Sequence, residues 1–141
     1  LLIVSKNNSG NDSENKGKHP LYGFDLHSEV LLGEPVFKFD LSAIKKFVLV
    51  NNINSLETNI GFKPSAIGIH PLTNRLYVLS AVERMLFVFN MNGNIEYIEK
   101  LNPELFNMPE GIAFFGNGDM LISNEGRINP PTILKFNYNI K

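Results

Sequence analysis

The sequence predicts an all-β fold, a partial β-propeller of about three four-stranded antiparallel blades with short helical connectors, and three observations point there. The first is an internal echo. Pro64-Ser65-Ala66-Ile67-Gly68-Ile69, a turn and Leu76-Tyr77-Val78-Leu79-Ser80 return as Pro109-Glu110-Gly111-Ile112-Ala113-Phe114, a turn and Met120-Leu121-Ile122-Ser123-Asn124. The two prolines stand about 45 positions apart, the length of a propeller blade and well beyond a leucine-rich or ankyrin unit. The second is that the repeated strands are nearly continuous in apolar residues, as in sheets covered on both faces. The third is turn chemistry between them: His70-Pro71-Leu72-Thr73-Asn74, Asn92-Gly93 and Gly116-Asn117-Gly118-Asp119.

Taken in order, Leu1-Leu2-Ile3-Val4-Ser5 matches Leu76-Tyr77-Val78-Leu79-Ser80, and Tyr22-Gly23-Phe24-Asp25-Leu26 matches Phe87-Val88-Phe89-Asn90-Met91 and Leu134-Lys135-Phe136-Asn137-Tyr138. Residues 1–52 therefore read as an incomplete blade that lacks its first strand. Its two matching strands are separated by a polar loop, 7–20, whose Asn, Ser, Gly, Lys and acidic residues cannot bury themselves and are expected to move. Val36-Phe37-Lys38-Phe39-Asp40 alternates like an outer strand, and Ser42 is placed to cap a short helix over 43–47. Residues 53–101 form a full blade, in which Asn92-Gly93 suits the positive φ angles of a tight turn between the third and fourth strands. Asn102 before Pro103 predicts a second short helix through Phe106. Residues 102–141 form a further blade whose last strand is not evident. All 141 residues make one partial propeller, and three blades are fewer than a closed ring of four to eight requires. Such an open piece is expected to self-associate unless further blades cover its faces and edges.

Composition narrows the functional classes. Thirteen Lys+Arg against fourteen Asp+Glu, a net charge of -1, leave no electrostatic footprint for nucleic acid. With no Cys there are neither disulfides nor thiolate metal sites, while the redox compartment stays open. Apolar runs are strand-sized, so no transmembrane segment is expected here. The chain starts on Leu1, inside a strand, without an initiator Met or a charged leader. It is expected to be cut from a longer protein, with any targeting signal or membrane anchor upstream.

Residues 63–138 resemble the SdiA-regulated family of bacterial β-propeller proteins. The resemblance is carried by the Pro-Ser-Ala-Ile strand at Pro64, the turn His70-Pro71, the run 76–80, Pro109-Glu110-Gly111-Ile112-Ala113-Phe114, the turn Asn117-Gly118-Asp119 and the end Ile122-Ser123-Asn124-Glu125-Gly126. It covers a little over half of the chain. Residues 1–6 and 22–26 fit the preceding blade of such proteins more loosely. The resemblance implies the C-terminal part of an envelope-associated propeller on the periplasmic side, acting as a binding or interaction module for a protein or small-molecule ligand. It implies no organic cofactor and little about chemistry.

The candidate site follows from blade topology. The first residue of an inner strand and the loop after the second strand lie at the same end of a blade. Glu110 opens an inner strand; Asn124 ends the next strand and Glu125 follows it. Two carboxylates and an amide oxygen are hard ligands suited to Ca²⁺ or Mg²⁺ rather than zinc, so Glu110, Glu125 and Asn124 are the candidate metal residues, with Ca²⁺ the ion expected. Ca²⁺ takes six to eight oxygens, and the remainder would come from other blades and water. A metal-dependent hydrolase acting on lactones or phosphate esters is the alternative, by analogy of fold with propellers that place a Glu-Gly pair at this strand start. Against both stands a structural reading in which Glu110 accepts backbone N–H groups and Glu125 pairs with Arg127. Ser65 and Ser80 occupy the places of Glu110 and Asn124 in the preceding blade, and Ser5 that of Asn124 in the one before. No serine has a histidine base at that end. His70 reads as a turn and packing residue, and His19 and His27 lack a second ligand at metal spacing. Asn7-Asn8-Ser9 and Asn11-Asp12-Ser13 read as loop composition, and the phenylalanines as core.

Overall fold

The structure is a computed structural model, and it describes residues 1–6, 17–53, 60–126 and 129–139. It is all-β apart from one helix, and its strands form blade-like antiparallel sheets in two compact units, Leu1–Gly61 and Phe62–Lys141. Among the described residues no helix is long and apolar enough to cross a membrane.

The first unit contains β1 (Leu2–Val4), β2 (Lys18–Asp25), β3 (Val30–Leu31), β4 (Phe37–Asp40) and α1 (Leu41–Val50). β1 pairs with β2 through Ile3↔Tyr22, which joins the two strands expected to be neighbours. The outer edge of β2 is shared. β4 covers its first half through Lys18↔Asp40 and Leu21↔Phe37, and β3 its last two residues. Between them, Leu32 donates to Gly23 O and Val36 to Leu21 O, so β2 keeps partners along the gap. This pairing also moves the limit of the polar loop. Lys18, His19 and Pro20, expected within it, belong to β2, because Asp40, Phe39 and Lys38 stand opposite and His19 is buried. The mobility expected of 7–16 and the sequon-like triplets there lie outside the described residues.

The helix is longer than expected and differently capped. Asp40, not Ser42, is the N-cap: its Oδ1 accepts Ser42 N at 2.8 Å and Ser42 Oγ at 2.6 Å. The last residue of β4 thus ends the strand and starts the helix. Ile44 and Val48, four apart, form the buried stripe, while Leu49 and Val50 are exposed. Asn51 N and Nδ2 both donate to Phe47 O, and Asn52 at φ 48° turns the chain out of the helix.

The second unit holds a complete blade, β5 (Pro64–Ile69), β6 (Leu76–Ser80), β7 (Met85–Phe89) and β8 (Ile95–Lys100), in meander order. A three-stranded blade follows, β9 (Pro109–Phe114), β10 (Met120–Asn124) and β11 (Thr132–Phe136). Every residue of β7 is buried, as its unbroken apolar sequence requires. Phe87 meets Phe62 edge to face at 5.0 Å, and Phe89 lies beside both rings. Between the blades, Leu79, Leu86, Leu101, Phe106 and Ile122 form one cluster, with Ala66, Tyr77, Ile112, Met120 and Leu134 packed against it.

Two local expectations are corrected. Residues 103–105 are a turn, not a helix: Asn102 O accepts both Leu105 N and Phe106 N, and Asn102 Oδ1 accepts Glu104 N. Burial of Phe106 in the core fixes the chain there, and Pro109 already begins β9, which leaves no room for a second turn. At the β7–β8 hairpin only Gly93 has positive φ, at 82°, and it donates to Asn90 O. The connection is therefore a type I turn closed by a left-handed glycine rather than a two-residue turn, and the register shifts at Phe89 to absorb the extra residue. Gly118, with φ 90° and its N–H on Phe115 O, repeats the device between β9 and β10.

Replacing Asp40 by Ala removes the helix cap and should lower the unfolding free energy by about 1 kcal/mol, read as a shift in the urea midpoint at unchanged slope. Asp40→Asn, which keeps an acceptor, should recover most of that loss.

Candidate functional site

Both blades of the second unit begin with the same irregularity. Pro64 pairs with Ser80 and Ala66 with Leu79, so Ser65 is an extra residue on β5; Pro109 pairs with Asn124 and Gly111 with Ser123, so Glu110 is the extra residue on β9. A β-bulge turns its residue out of the regular alternation, a frequent device beside functional sites. Ser65 Oγ donates to Pro109 O at 2.8 Å and fastens the start of one blade to the start of the next.

Around this end the sequence-derived candidates take different places. Glu125 N donates to Met108 O at 2.9 Å, two residues from Glu110, so both carboxylates belong to the same end of the β9–β10 pair. Glu110 is half-buried and Glu125 exposed. Asn124 is buried beside them, and its amide has structural work: Nδ2 donates to Leu105 O at 3.3 Å and to Thr132 Oγ1 at 3.0 Å. It ties the 103–105 turn to β10 and β11. Its Oδ1 is buried without a hydrogen-bond partner among the described residues. No group of three or more His, Cys, Asp or Glu side chains able to hold a metal occurs among the described residues. Arg127, weighed as a partner for Glu125, lies outside them.

In the preceding blade the equivalent places are filled by shorter, inward groups. Ser80 Oγ is fully buried, accepts Lys63 N at 3.0 Å and is hydrogen-bonded to the Glu83 carboxylate. Ser65 and Ser80 thus close the backbone at the blade entrance, and Glu110 with Asn124 carries the same positions with longer side chains.

The opposite end of the blades is organised by His70 and Asp119. His70 is buried, its Nδ1 accepts Leu72 N and Thr73 N at 3.3 Å, and its ring stacks on Tyr77 and touches Phe114 and Tyr138. It is a turn and packing residue. A cavity of about 100 Å³ adjoins this cluster, but the rings lie 4.7–5.6 Å apart and fill the space between themselves. Asp119 accepts Tyr138 N at 2.9 Å and meets Lys135 Nζ at 2.8 Å. Lys135, with the Tyr138 amide and Asn117, holds its carboxyl down at about 2. The Asn-Gly-Asp turn was visible in the sequence, whereas its attachment to Lys135 and Tyr138, far along the chain, carried no local signal.

Comparison with protein-family models, curated proteins and solved structures finds no match for this chain.

Asp119 makes a prediction about acid. Its pKa in the folded chain lies below the ordinary value of 3.8, so its contribution to stability is present above about pH 4 and is lost as pH falls toward 2. Denaturant midpoints measured between pH 6 and 2 should fall less steeply over that window in Asp119→Asn than in the wild type. Identical slopes would remove the Lys135 and Tyr138 anchor.

Proposed function

We propose that this chain is a binding and interaction module of a cell-envelope β-propeller of the SdiA-regulated kind, working on the periplasmic side, with Ca²⁺ as the ligand at the bulged end of β9. What supports the module reading is a pair of stacked blades whose bulges turn Ser65 and Glu110 out of the regular alternation at one end. The location and the kinship rest on the residues 63–138 that resemble that family. What supports the ion is one observation: Glu110 and Glu125 share an end at which Asn124 keeps a buried oxygen with no hydrogen-bond partner among the described residues. With Nδ2 engaged by Leu105 O and Thr132 Oγ1, the amide can offer a cation only its oxygen.

The donor set fits a hard divalent cation in kind and falls short in number. Two carboxylates and one amide oxygen leave half or more of a calcium shell to water and to other protein oxygens. Binding would couple β9 to the segment after β10 and stiffen the end of the blade where a protein or small ligand would be received.

Calorimetric titration with Ca²⁺ tests this directly. Saturable heat is expected from the wild-type chain, with affinity reduced at least about tenfold in Glu110→Gln, a loss of about 1.4 kcal/mol or more. Absence of heat in the wild type overturns the ion. A panel of lactones and phosphate esters tests the module: no turnover is expected, and a hydrolytic rate abolished by Glu110→Gln would replace the binding module by a hydrolase.

A further inference from the structure

The chain contains two Asn-Gly pairs, Asn92-Gly93 and Asn117-Gly118, and the turns that hold them are built alike. Gly93 N donates to Asn90 O at 3.0 Å and Asn90 N to Asn94 O at 3.0 Å; Gly118 N donates to Phe115 O at 2.9 Å and Phe115 N to Asp119 O at 2.8 Å. Both glycines have positive φ, 82° and 90°. The backbones are thus matched, and what differs is the work given to each asparagine side chain.

In the first turn Asn90 Oδ1 accepts Asn92 N at 3.0 Å and Asn94 N at 3.1 Å. It takes the Asn94 amide that Asn92 would otherwise hold. The Asn92 carboxamide, exposed on the turn, has no hydrogen bond among the described residues. In the second turn position 115 is Phe, which offers no side-chain acceptor, and Asn117 Oδ1 itself accepts Asp119 N at 3.1 Å. The glycines differ as well. Gly93 is half-buried, whereas Gly118 is buried, and a Cβ on it would stand 2.8 Å from Tyr138 Cγ and 3.1 Å from His70 Cε1. The peptide before Gly118 therefore has little room to rotate.

These differences bear on one reaction. The main-chain nitrogen of the glycine attacks the asparagine Cγ; the N–Cγ bond forms, the Cγ–Nδ2 bond breaks, and Nδ2 leaves as ammonia with the proton lost by the nitrogen. Water then opens the cyclic imide at either carbonyl. The product is aspartate, or isoaspartate in which the main chain runs through the former side-chain carbon. Closure needs a nitrogen unshielded by a Cβ, which glycine supplies, a carboxamide free to turn its carbon toward that nitrogen, and a peptide able to rotate.

We infer that Asn92 is a site of spontaneous deamidation in the folded chain, with water as the only co-reactant, and that the fold protects Asn117. The product lies on the hairpin between β7, which is wholly buried, and β8. It adds a carboxylate there and, as isoaspartate, an extra main-chain carbon. Turn length fixes the register of a hairpin, so that carbon loosens β8 from β7.

The test ages the whole chain at mildly alkaline pH and follows the peptides containing residues 92 and 117 by mass spectrometry, with isoaspartate identified by enzymatic methylation. Conversion at Asn92 is expected to be at least about tenfold faster than at Asn117, because the protected site must first open locally. Amide exchange in β8 should be faster in the converted fraction. In urea the two rates should approach each other, since only flanking residues then distinguish them. Tyr138→Ala, which uncovers Gly118, should raise conversion at Asn117 several-fold and leave Asn92 at its wild-type rate, which also shows that the variant is folded; Tyr138→Leu replaces it if both sites reach their urea rates. The proposal is overturned if Asn117 converts as fast as Asn92 in the folded chain, or if Asn92 survives while the urea-unfolded chain reacts. It is equally overturned by the same ratio of rates in urea as in buffer, which gives the selectivity to flanking sequence, or by an Asn117 rate that the folded Tyr138 variant does not move.

Discussion

A strand that is apolar on both faces must be covered on both faces, and this constraint organises the second unit. β7 has no polar side chain at all, and every one of its residues is buried. One blade by itself leaves such a strand half in water, at a cost of about 1.5–3 kcal/mol for each large apolar side chain left exposed. The stacking of β9, β10 and β11 against the first blade is the remedy, and the cluster from Leu79 to Ile122 is its product. The neighbours approach closely enough that side-chain size matters along the inner strands. A Cβ on Gly68 would stand 3.1 Å from the Phe114 ring, so the glycine of β5 admits an aromatic of β9.

The same stacking explains why the polar residues collect where they do. The strand faces between the blades are occupied by the core, so the side chains that tie one blade to the next by hydrogen bonds sit at the blade ends. At one end the bulges at Ser65 and Glu110 break the alternation, and Ser65 spends its hydroxyl on the neighbouring blade's Pro109 carbonyl. At the other, Gly118 needs its positive φ and its missing side chain together: a Cβ there would lie 2.8 Å from Tyr138 Cγ, the ring that closes over His70. The His70 end is filled by its own aromatic rings. The Glu110 end keeps carboxylates and a buried amide oxygen, which is why ligand chemistry is assigned there.

What was legible in the sequence was the repeated part. Pro64 and Pro109 mark equivalent strand starts, and each strand from 64 to 136 falls within two residues of its expected place, because apolar continuity and turn residues both encode it. The errors arose where two local signals compete. Ser42 and Asp40 are both good caps, and the carboxylate won because β4 ends on it, pinned opposite Lys18. Asn102-Pro103 is a sound helix start, yet Phe106 is held in the core before a second turn can form. Lys18 to Pro20 look like loop residues, and only pairing with β4 makes them strand. For the site, topology alone could place Glu110 and Glu125 at one end, whereas the duty of Asn124 to Leu105 and Thr132 depends on a turn that the sequence did not reveal.

Asn124 joins three elements at the bulged end of the second blade. Its amide bridges the 103–105 turn and Thr132, the first residue of β11, so the carboxylate end of the blade is held to β11 through one side chain. Ser80, its counterpart, instead closes on Lys63 and Glu83, within a blade whose edge is already occupied by β8. The difference is reach: the longer amide holds the Thr132 hydroxyl while anchoring the turn that carries Phe106 into the core. Order at the Glu110 end and order along β11 are consequently not independent. Whatever steadies Thr132 steadies with it the oxygen that Asn124 holds beside Glu110 and Glu125.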